Sequence, residues 1–236
     1  MHFTLADAPF AGRTGRGVIV AVLDSGVHAD HPHIGGVQGG HSFASDSATD
    51  YVDRIGHGTA VAAAIREKSP GVALLAVRIF ERQLATGVDV LGQAIRWAAD
   101  AGAHLINLSL GTANPAHRDR LLQAIEYATA RGALVVSARE SNGVDWLPGS
   151  LSGVAGVMAD WTCERDAIEV LPEPSGLPTF HASAYPRPIP GLPRERNLSG
   201  VSFAVANATG FLARALEDAD AGPFETIQRY FSVTER

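Results

Sequence analysis

Short apolar runs alternate with longer helical stretches along the sequence, and this alternation most limits which folds the chain can adopt. Buried strands are predicted at residues 18–23, 72–77, 105–108, 134–136 and 154–158. Helices are predicted between them, at residues 88–101 and 118–130. Two neighbouring parallel strands need a crossover connection, which is usually a helix. Strands that alternate with helices are therefore expected to pair in parallel. The pattern predicts an α/β fold of three layers, with a mainly parallel central sheet flanked by helices.

Length and charge favour one globular domain with no nucleic-acid partner. The chain has 236 residues, of which 46% are hydrophobic, and this is enough to bury a full core. We therefore expect a single domain over residues 1–236. The formal net charge is −6, so the surface offers no positive field for a phosphate backbone.

The amino end and the cysteine content favour a cytoplasmic protein. No apolar run approaches the ~18 residues of a membrane span, and residues 1–7 lack the regions of a signal peptide. Cys163 is the only cysteine, so an intrachain disulfide is excluded. Asp24 comes so early that no residues are left for a propeptide. We expect no membrane partner, no signal peptide and no propeptide.

Three short motifs bring together the residue types of a nucleophilic serine site. They are Asp24-Ser25-Gly26, His57-Gly58-Thr59 and Gly200-Val201-Ser202. A serine hydroxyl needs a histidine to take its proton, and that histidine needs a carboxylate to fix its tautomer. Asp24 ends a buried run, while His57 and Ser202 each begin a helical stretch. Asp24, His57 and Ser202 are therefore the predicted catalytic residues.

Longer segments around these motifs resemble a known family. They are Asp24-Ser25-Gly26 with His31-Pro32, Gly39-Gly40-His41-Ser42-Phe43, Arg54-Ile55-Gly56-His57-Gly58-Thr59, Leu105-Ile106-Asn107-Leu108-Ser109-Leu110-Gly111 and Gly200-Val201-Ser202-Phe203-Ala204. From about residue 17 to residue 216 the chain is similar to the subtilases, the subtilisin-like serine peptidases, which share the order Asp, His, Ser. The resemblance implies a serine endopeptidase that works through an acyl-enzyme. It also implies that an extended peptide adds as a strand beside Ser109, Leu110 and Gly111.

The segment after residue 138 departs from the family pattern. A subtilase carries Ala-Gly-Asn there, and its asparagine donates to the oxyanion. Aligned without a gap, Glu140 takes that position, and an ionised carboxylate accepts hydrogen bonds without donating any. A two-residue bulge would bring Asn142 there instead. The sequence therefore does not decide whether Glu140 or Asn142 occupies the oxyanion position. The Ser202 backbone N–H is the second expected donor.

The primary pocket is expected between the strand that ends at Gly111 and residues 137–139, which include Ala138 and Arg139. Arg139 stands where subtilases have glycine. The added bulk predicts a shallow pocket for small side chains, and the added charge predicts a preference for an acidic one. The sequence leaves both alternatives open.

Other readings compete with parts of this interpretation. His28, His31 and His33 are closely spaced, but no cysteine or carboxylate set completes a metal site, so neither a metal nor a cofactor is expected. The glycines at 35, 36, 39 and 40 are not followed by the Gly-Lys-Ser/Thr of a phosphate loop. Seven of the thirteen prolines lie between residues 172 and 193, so residues 163–196 are predicted as an extended or loop excursion bordering the cleft. A short helix is predicted at residues 223–233.

Two functions follow from the resemblance. The compact chain is similar to small intracellular subtilases that remove leader peptides from modified peptides, including those that serve quinohemoprotein amine dehydrogenase maturation. Its partner would be a peptide or protein substrate such as a precursor with a leader peptide. The alternative is a catalytically weak or inactive module that binds a peptide in the same groove, with Glu140 disabling the oxyanion site.

Overall fold

A central sheet with helices on both faces forms the protein, as a computed structural model shows for residues 1–173 and 176–231. The strands are β1 (His2–Thr4), β2 (Ile19–Asp24), β3 (Gly39–Ser42), β4 (Ala73–Arg78), β5 (Leu105–Leu108), β6 (Leu134–Ala138), β7 (Glu140–Ser141), β8 (Val144–Asp145), β9 (Val154–Asp160), β10 (Ala167–Leu171) and β11 (Thr179–Ser183). The helices are α1 (His57–Lys68), α2 (Val88–Asp100), α3 (Arg118–Ala130), α4 (Val201–Leu216) and α5 (Pro223–Phe231), with 3-10 turns at Pro115–His117 and Arg194–Arg196.

Nine of these strands form the sheet, in the order β1-β10-β11-β9-β6-β5-β2-β4-β3. From β11 to β3 all neighbours are parallel, while β10 and β1 are antiparallel additions at one edge. Strand β2 pairs with β4 on one side and with β5 on the other, so later strands are added on both sides of β2. The carboxyl ends of β2 and β5 therefore flank a topological switch point, where open α/β sheets place their sites.

Alternate residues of each central strand enter two different cores. In β2, Val20 and Val22 pack with α1, α4 and α5, while Ala21 and Leu23 pack with α2 and α3. Both faces are apolar because both are covered by helices, which explains the continuous apolar run in the sequence. The expected three-layer α/β fold is confirmed.

The elements follow the sequence expectations closely, with one difference in the proline-rich region. Helix α3 has the predicted bounds, and α5 covers the described part of the helix predicted at 223–233. Residues 163–196 are not only an excursion, because they contain the sheet strands β10 and β11. Proline cannot donate to a sheet, and Pro172 and Pro178 stand immediately outside these two strands.

Two further findings concern membrane spans and the cysteine. Within residues 1–173 and 176–231, no helix has the length and apolar character needed to span a bilayer. Cys163 is a free, buried thiol. Burial and the nearby carboxylates of Asp160, Glu169 and Glu164 raise its pKa to about 11, so the thiol is unreactive at neutral pH.

Candidate active site

The predicted acid and base meet at the carboxyl end of β2. Asp24 is fully buried, and its Oδ1 lies 2.8 Å from Nδ1 of His57, the first residue of α1. The same oxygen accepts from the Ser25 backbone N–H at 2.7 Å. Asp24 Oδ2 is buried and has no partner among the described residues. The carboxylate therefore holds the imidazole through Nδ1 and leaves Nε2 for a substrate or a nucleophile.

Helix α1 can approach β2 this closely because residue 58 is glycine. A Cβ on Gly58 would lie 2.2 Å from the Gly26 carbonyl oxygen and 3.1 Å from Asp24 Cβ. Any side chain at this position would push the first turn of α1 away from the strand. The Gly in His57-Gly58-Thr59 thus sets the distance between the imidazole and the carboxylate.

The predicted nucleophile lies in the first turn of α4, next to the end of β5. Ser202 Oγ donates to the Ser109 carbonyl oxygen at 3.0 Å, and Ser109 Oγ donates to the Ser202 carbonyl oxygen at 3.0 Å. Asn107 Nδ2 donates to Ser109 Oγ at 2.9 Å, and Thr209 Oγ1 donates to Asn107 Oδ1 at 2.9 Å. This buried network ties α4 to β5 and fixes the position of Ser202.

The Ser202 hydroxyl is turned toward β5 and not toward the imidazole. Among the described residues, the Ser109 carbonyl is its only hydrogen-bond partner. The ring of the next residue, Phe203, lies 5.7 Å from the His57 ring, centroid to centroid. The start of α4 and the start of α1 are therefore neighbours, and rotation about the Ser202 Cα–Cβ bond redirects the hydroxyl.

A second buried carboxylate, Asp53, supports the site and was missed by the sequence analysis. Its Oδ1 accepts from Ser25 Oγ at 2.8 Å and from the Ile55 and Gly56 backbone N–H groups. Its Oδ2 accepts from the Thr59 backbone N–H and hydroxyl. The signal for it was present, since Asp53 lies only four residues before the histidine.

Charge and burial act in opposite directions on His57. Burial disfavours the imidazolium, but the Asp24 hydrogen bond and charge, together with the charge of Asp53, outweigh it, and the pKa of His57 is raised above 6.5. Burial raises the pKa of Asp53, but its hydrogen bonds to residues 59, 56 and 55 outweigh burial, so that pKa is lowered from 3.8. Asp53 is therefore ionised at neutral pH.

Replacing Asp53 with Asn should shift the pH dependence of the site. The loss of a negative charge lowers the His57 pKa, so we expect the acidic limb of kcat/KM to move to lower pH. One amide oxygen replaces two carboxylate oxygens that accept five hydrogen bonds, so we also expect a cost of about 1–3 kcal/mol in unfolding free energy. The pH profile of peptide hydrolysis measures the first effect. Asp46→Asn removes the same charge from an exposed site and is the control; equal profiles for both variants would contradict the role of Asp53.

The candidate oxyanion residues lie in a hairpin. Glu140 belongs to β7, which pairs with β8, and Asn142 with Gly143 forms the two-residue turn between them. Asn142 has a φ of 54° and is exposed at the tip, and Glu140 Oε1 accepts from the Gly143 N–H at 2.9 Å. The segment thus forms a hairpin. No hydrogen bond joins Glu140 or Asn142 to Ser202 among the described residues, and the oxyanion assignment stays a prediction.

The expected primary pocket contains an aromatic ring that the sequence analysis did not identify. A Cβ on Gly111 would lie 2.5 Å from Cε3 of Trp146, so the indole packs directly on the Gly111 backbone. Thr112 and Leu147 exchange backbone hydrogen bonds of 2.9 and 2.8 Å beside it. These contacts fix the indole against the backbone that follows β5.

Leu110, Ala138 and Arg139 were also expected in this pocket. Leu110 presents its carbonyl to Ser137 Oγ at 3.1 Å, and Ala138 is buried at the end of β6. Arg139 points toward Glu173, with 3.7 Å between Nη2 and Oε1. The arginine charge is therefore partly balanced within the protein.

The histidines at 28, 31 and 33 lie near one another and line one surface cavity. Across residues 1–173 and 176–231, no group of three or more His, Cys, Asp or Glu side chains has the arrangement needed to hold a metal ion. His31 and His33 are neighbours, with ring centroids 5.0 Å apart.

Comparison with known proteins places this geometry in a family. The profile of the subtilase family matches residues 15–145. The chain belongs to the subtilase family. The matched range includes Asp24 and His57 with their motifs, whereas Ser202 lies after the end of this range. In this subtilase, the fold brings the start of α4 beside the two matched motifs.

Several curated subtilases are similar in sequence. Subtilisin Savinase from Lederbergia lenta is 38% identical over 141 residues, which are 56% of this chain and 51% of that protein. Thermitase from Thermoactinomyces vulgaris is 35% identical over 140 residues, which are 55% of this chain and 49% of that protein. The chain thus spans about half the length of these relatives.

Two solved structures share the fold over almost the whole chain. A lanthipeptide protease has a TM-score of 0.72 at 17% identity and covers 92% of this chain and 81% of its own. Sphericase has a TM-score of 0.69 at 20% identity and covers 92% of this chain and 83% of its own. This coverage is larger than the range that the family profile matches, so the likeness extends past residue 145.

Proposed function

We propose that this subtilase is a serine endopeptidase in which Ser202 attacks the peptide carbonyl, His57 transfers the proton and Asp24 orients His57. The 2.8 Å contact between Asp24 Oδ1 and His57 Nδ1, beside the first turn of α4, carries the proposal. The subtilase profile supports it, since the matched residues include both Asp24 and His57, and the similarity to subtilisin agrees with it.

The reaction has two halves. His57 takes the Ser202 proton as the oxygen attacks, and it gives that proton to the leaving amine when the peptide bond breaks. Water then attacks the acyl-enzyme with His57 again as the base, and Ser202 is released. The first step requires the Ser202 hydroxyl to leave the Ser109 carbonyl. That carbonyl then becomes available to accept an N–H from the bound peptide.

For the residue before the scissile bond, we propose a preference for small side chains. Trp146 fills the space beside Gly111, and this supports the shallow pocket over the acidic preference that Arg139 also suggested. The 3.7 Å approach of Glu173 to Arg139 weakens the attraction of that pocket for an acidic side chain.

The role proposed for the peptidase is the processing of a specific precursor, such as a peptide with a leader segment. A restricted pocket suits a protease with few cleavage sites. A structural neighbour is a lanthipeptide protease, and its fold is compatible with such a role for this chain. Cytoplasmic localisation remains part of the same proposal.

Digestion of unfolded casein, beside a diverse panel of quenched fluorescent peptides, tests this role. We expect cleavage of a few panel members with small residues before the bond, while casein stays largely intact. Rapid and complete digestion of casein would contradict a processing role, although it would still support a peptidase.

A peptide-binding module without turnover is the second candidate, and one observation favours it. The Ser202 hydroxyl binds the Ser109 carbonyl and not His57, and Glu140 offers no donor to an oxyanion. Such a module would bind extended peptides along β5 and release them unchanged.

A further inference from the structure

A cavity of about 760 Å³ opens beside helix α1, and its lining includes Gly56 and Thr59, which stand on either side of the His57-Gly58 pair in the sequence. Thr59 and Ala60 of the first turns of α1 form one wall. Ile189 and Leu198 of the proline-rich segment form another wall, and both side chains are about half exposed. The cavity thus has an apolar interior next to the general base and only a few residues before Ser202.

The position of the cavity identifies the part of a peptide that can reach it. In the proposed binding mode, the peptide segment before the scissile bond pairs with β5 and lies toward Gly111 and Trp146. In the described part of the chain, no residue between 105 and 147 lines the cavity, so the cavity is separate from the part of the groove beside β5. His57 protonates the leaving amine, and the residues after the scissile bond therefore leave on the His57 side.

The charges around the cavity are mainly positive. Arg187 and Arg196 line it, and neither has a carboxylate within salt-bridge distance among residues 1–173 and 176–231. His31 and His33 lie on the same lining. Burial, followed by the charges of Arg187 and His31, lowers the pKa of His33, as expected for a site with a positive potential.

The carboxylate on this lining does not supply a partner for the arginines. Asp53 lines the cavity, but its two oxygens already accept five hydrogen bonds from residues 25, 55, 56 and 59. The two guanidinium groups are therefore available to a ligand. An acidic ligand complements them, and an apolar side chain fits between Ala60 and Leu198.

We propose that this cavity binds the substrate segment that follows the scissile bond, and that it selects an apolar side chain flanked by carboxylates. The inference rests on the proposed endopeptidase function and adds the chemistry of the leaving segment. Arg187 and Arg196 bind the carboxylates, while Ile189 and Leu198 contact the apolar side chain.

Capture of the acyl-enzyme by an added amine measures this site directly. The Ser202 ester formed from acetyl-Ala-Ala-Ala ethyl ester is cleaved either by water or by the amine of a peptide. In the second case the ester bond breaks, an amide bond forms, and the amine proton returns to Ser202 Oγ through His57. The nucleophiles are Ala-Glu-Leu-Glu amide and Ala-Gln-Leu-Gln amide, which match in length and apolar content.

For the wild-type protein we expect the acidic nucleophile to capture about tenfold more acyl-enzyme than its amide counterpart. In the double variant Arg187→Gln, Arg196→Gln we expect this ratio to fall to about one or two. Arg118→Gln removes an exposed arginine at the start of α3 and should keep the wild-type ratio. Equal capture of both nucleophiles by the wild type overturns the inference and leaves the proposed peptidase intact.

A binding measurement separates the two proposals if the ester is not turned over, which would contradict the endopeptidase function. Fluorescein-labelled forms of the two peptides are titrated with the Ser202→Ala variant and followed by anisotropy. Tighter binding of the acidic peptide, lost in the double arginine variant, supports the cavity as a binding site. Equal affinity for both peptides overturns it.

Discussion

Replacement of His57 by alanine should lower kcat for peptide hydrolysis by about 10⁶, the loss that subtilisin shows when its histidine is removed. The His57 imidazole contacts the buried Asp24 carboxylate at 2.8 Å and lies beside the helix that carries Ser202. Without it, Ser202 has no acceptor for its proton. Asp24→Asn keeps the size of the side chain but removes the charge, so we expect a smaller loss of about 10⁴.

The two substitutions together should cost little more than His57→Ala alone, because the three residues act as one unit. His2→Ala is the matched control, since His2 is exposed on β1, at the edge of the sheet and outside the proposed site. Initial rates with one quenched fluorescent peptide measure all of these variants. A loss below about tenfold in His57→Ala would show that the histidine is not the general base.

Replacement of Trp146 by alanine should open the pocket for the residue before the scissile bond. The indole packs on Gly111, so its removal leaves space beside the end of β5. We expect kcat/KM for peptides with Leu or Phe at that position to rise by about 10-fold to 200-fold relative to peptides with Ala, the range that a few buried methylene groups supply. A peptide series that differs only at this position measures the ratio.

Two comparisons make the Trp146 prediction specific. Trp161→Ala removes an indole that is 53% exposed and packs on Tyr185, and it should leave the ratio unchanged. Arg139→Gly should change the ratio less than Trp146→Ala, because Arg139 points toward Glu173. If Arg139→Gly alone admits Leu and Phe, then Arg139 and not Trp146 limits the pocket.

Local sequence patterns predicted the fold and the positions of Asp24, His57 and Ser202 because these depend on neighbours in the chain. The apolar run before Asp24 specifies a strand buried on both faces, and helix α3 has an amphipathic pattern that ends before Gly132. The strands β10 and β11 were not predicted, because the prolines at their ends are typical of a loop.

The remaining parts of the site depend on contacts between distant segments. Trp146 reaches Gly111 only because Thr112 pairs with Leu147, and no periodicity in the sequence encodes that pairing. The cavity beside α1 likewise requires Ala60 and Leu198, which are 138 positions apart in the chain, to line one space. Asp53 could have been predicted from the sequence, since a carboxylate four residues before the histidine belongs to the same loop.

Labelling with a fluorophosphonate probe, followed by intact mass, tests the central claim that Ser202 is an activated nucleophile. We predict one adduct per wild-type molecule, and no adduct on Ser202→Ala or His57→Ala under the same conditions. An unlabelled wild-type protein, or an equal adduct on Ser202→Ala, would contradict the claim and favour a peptide-binding module.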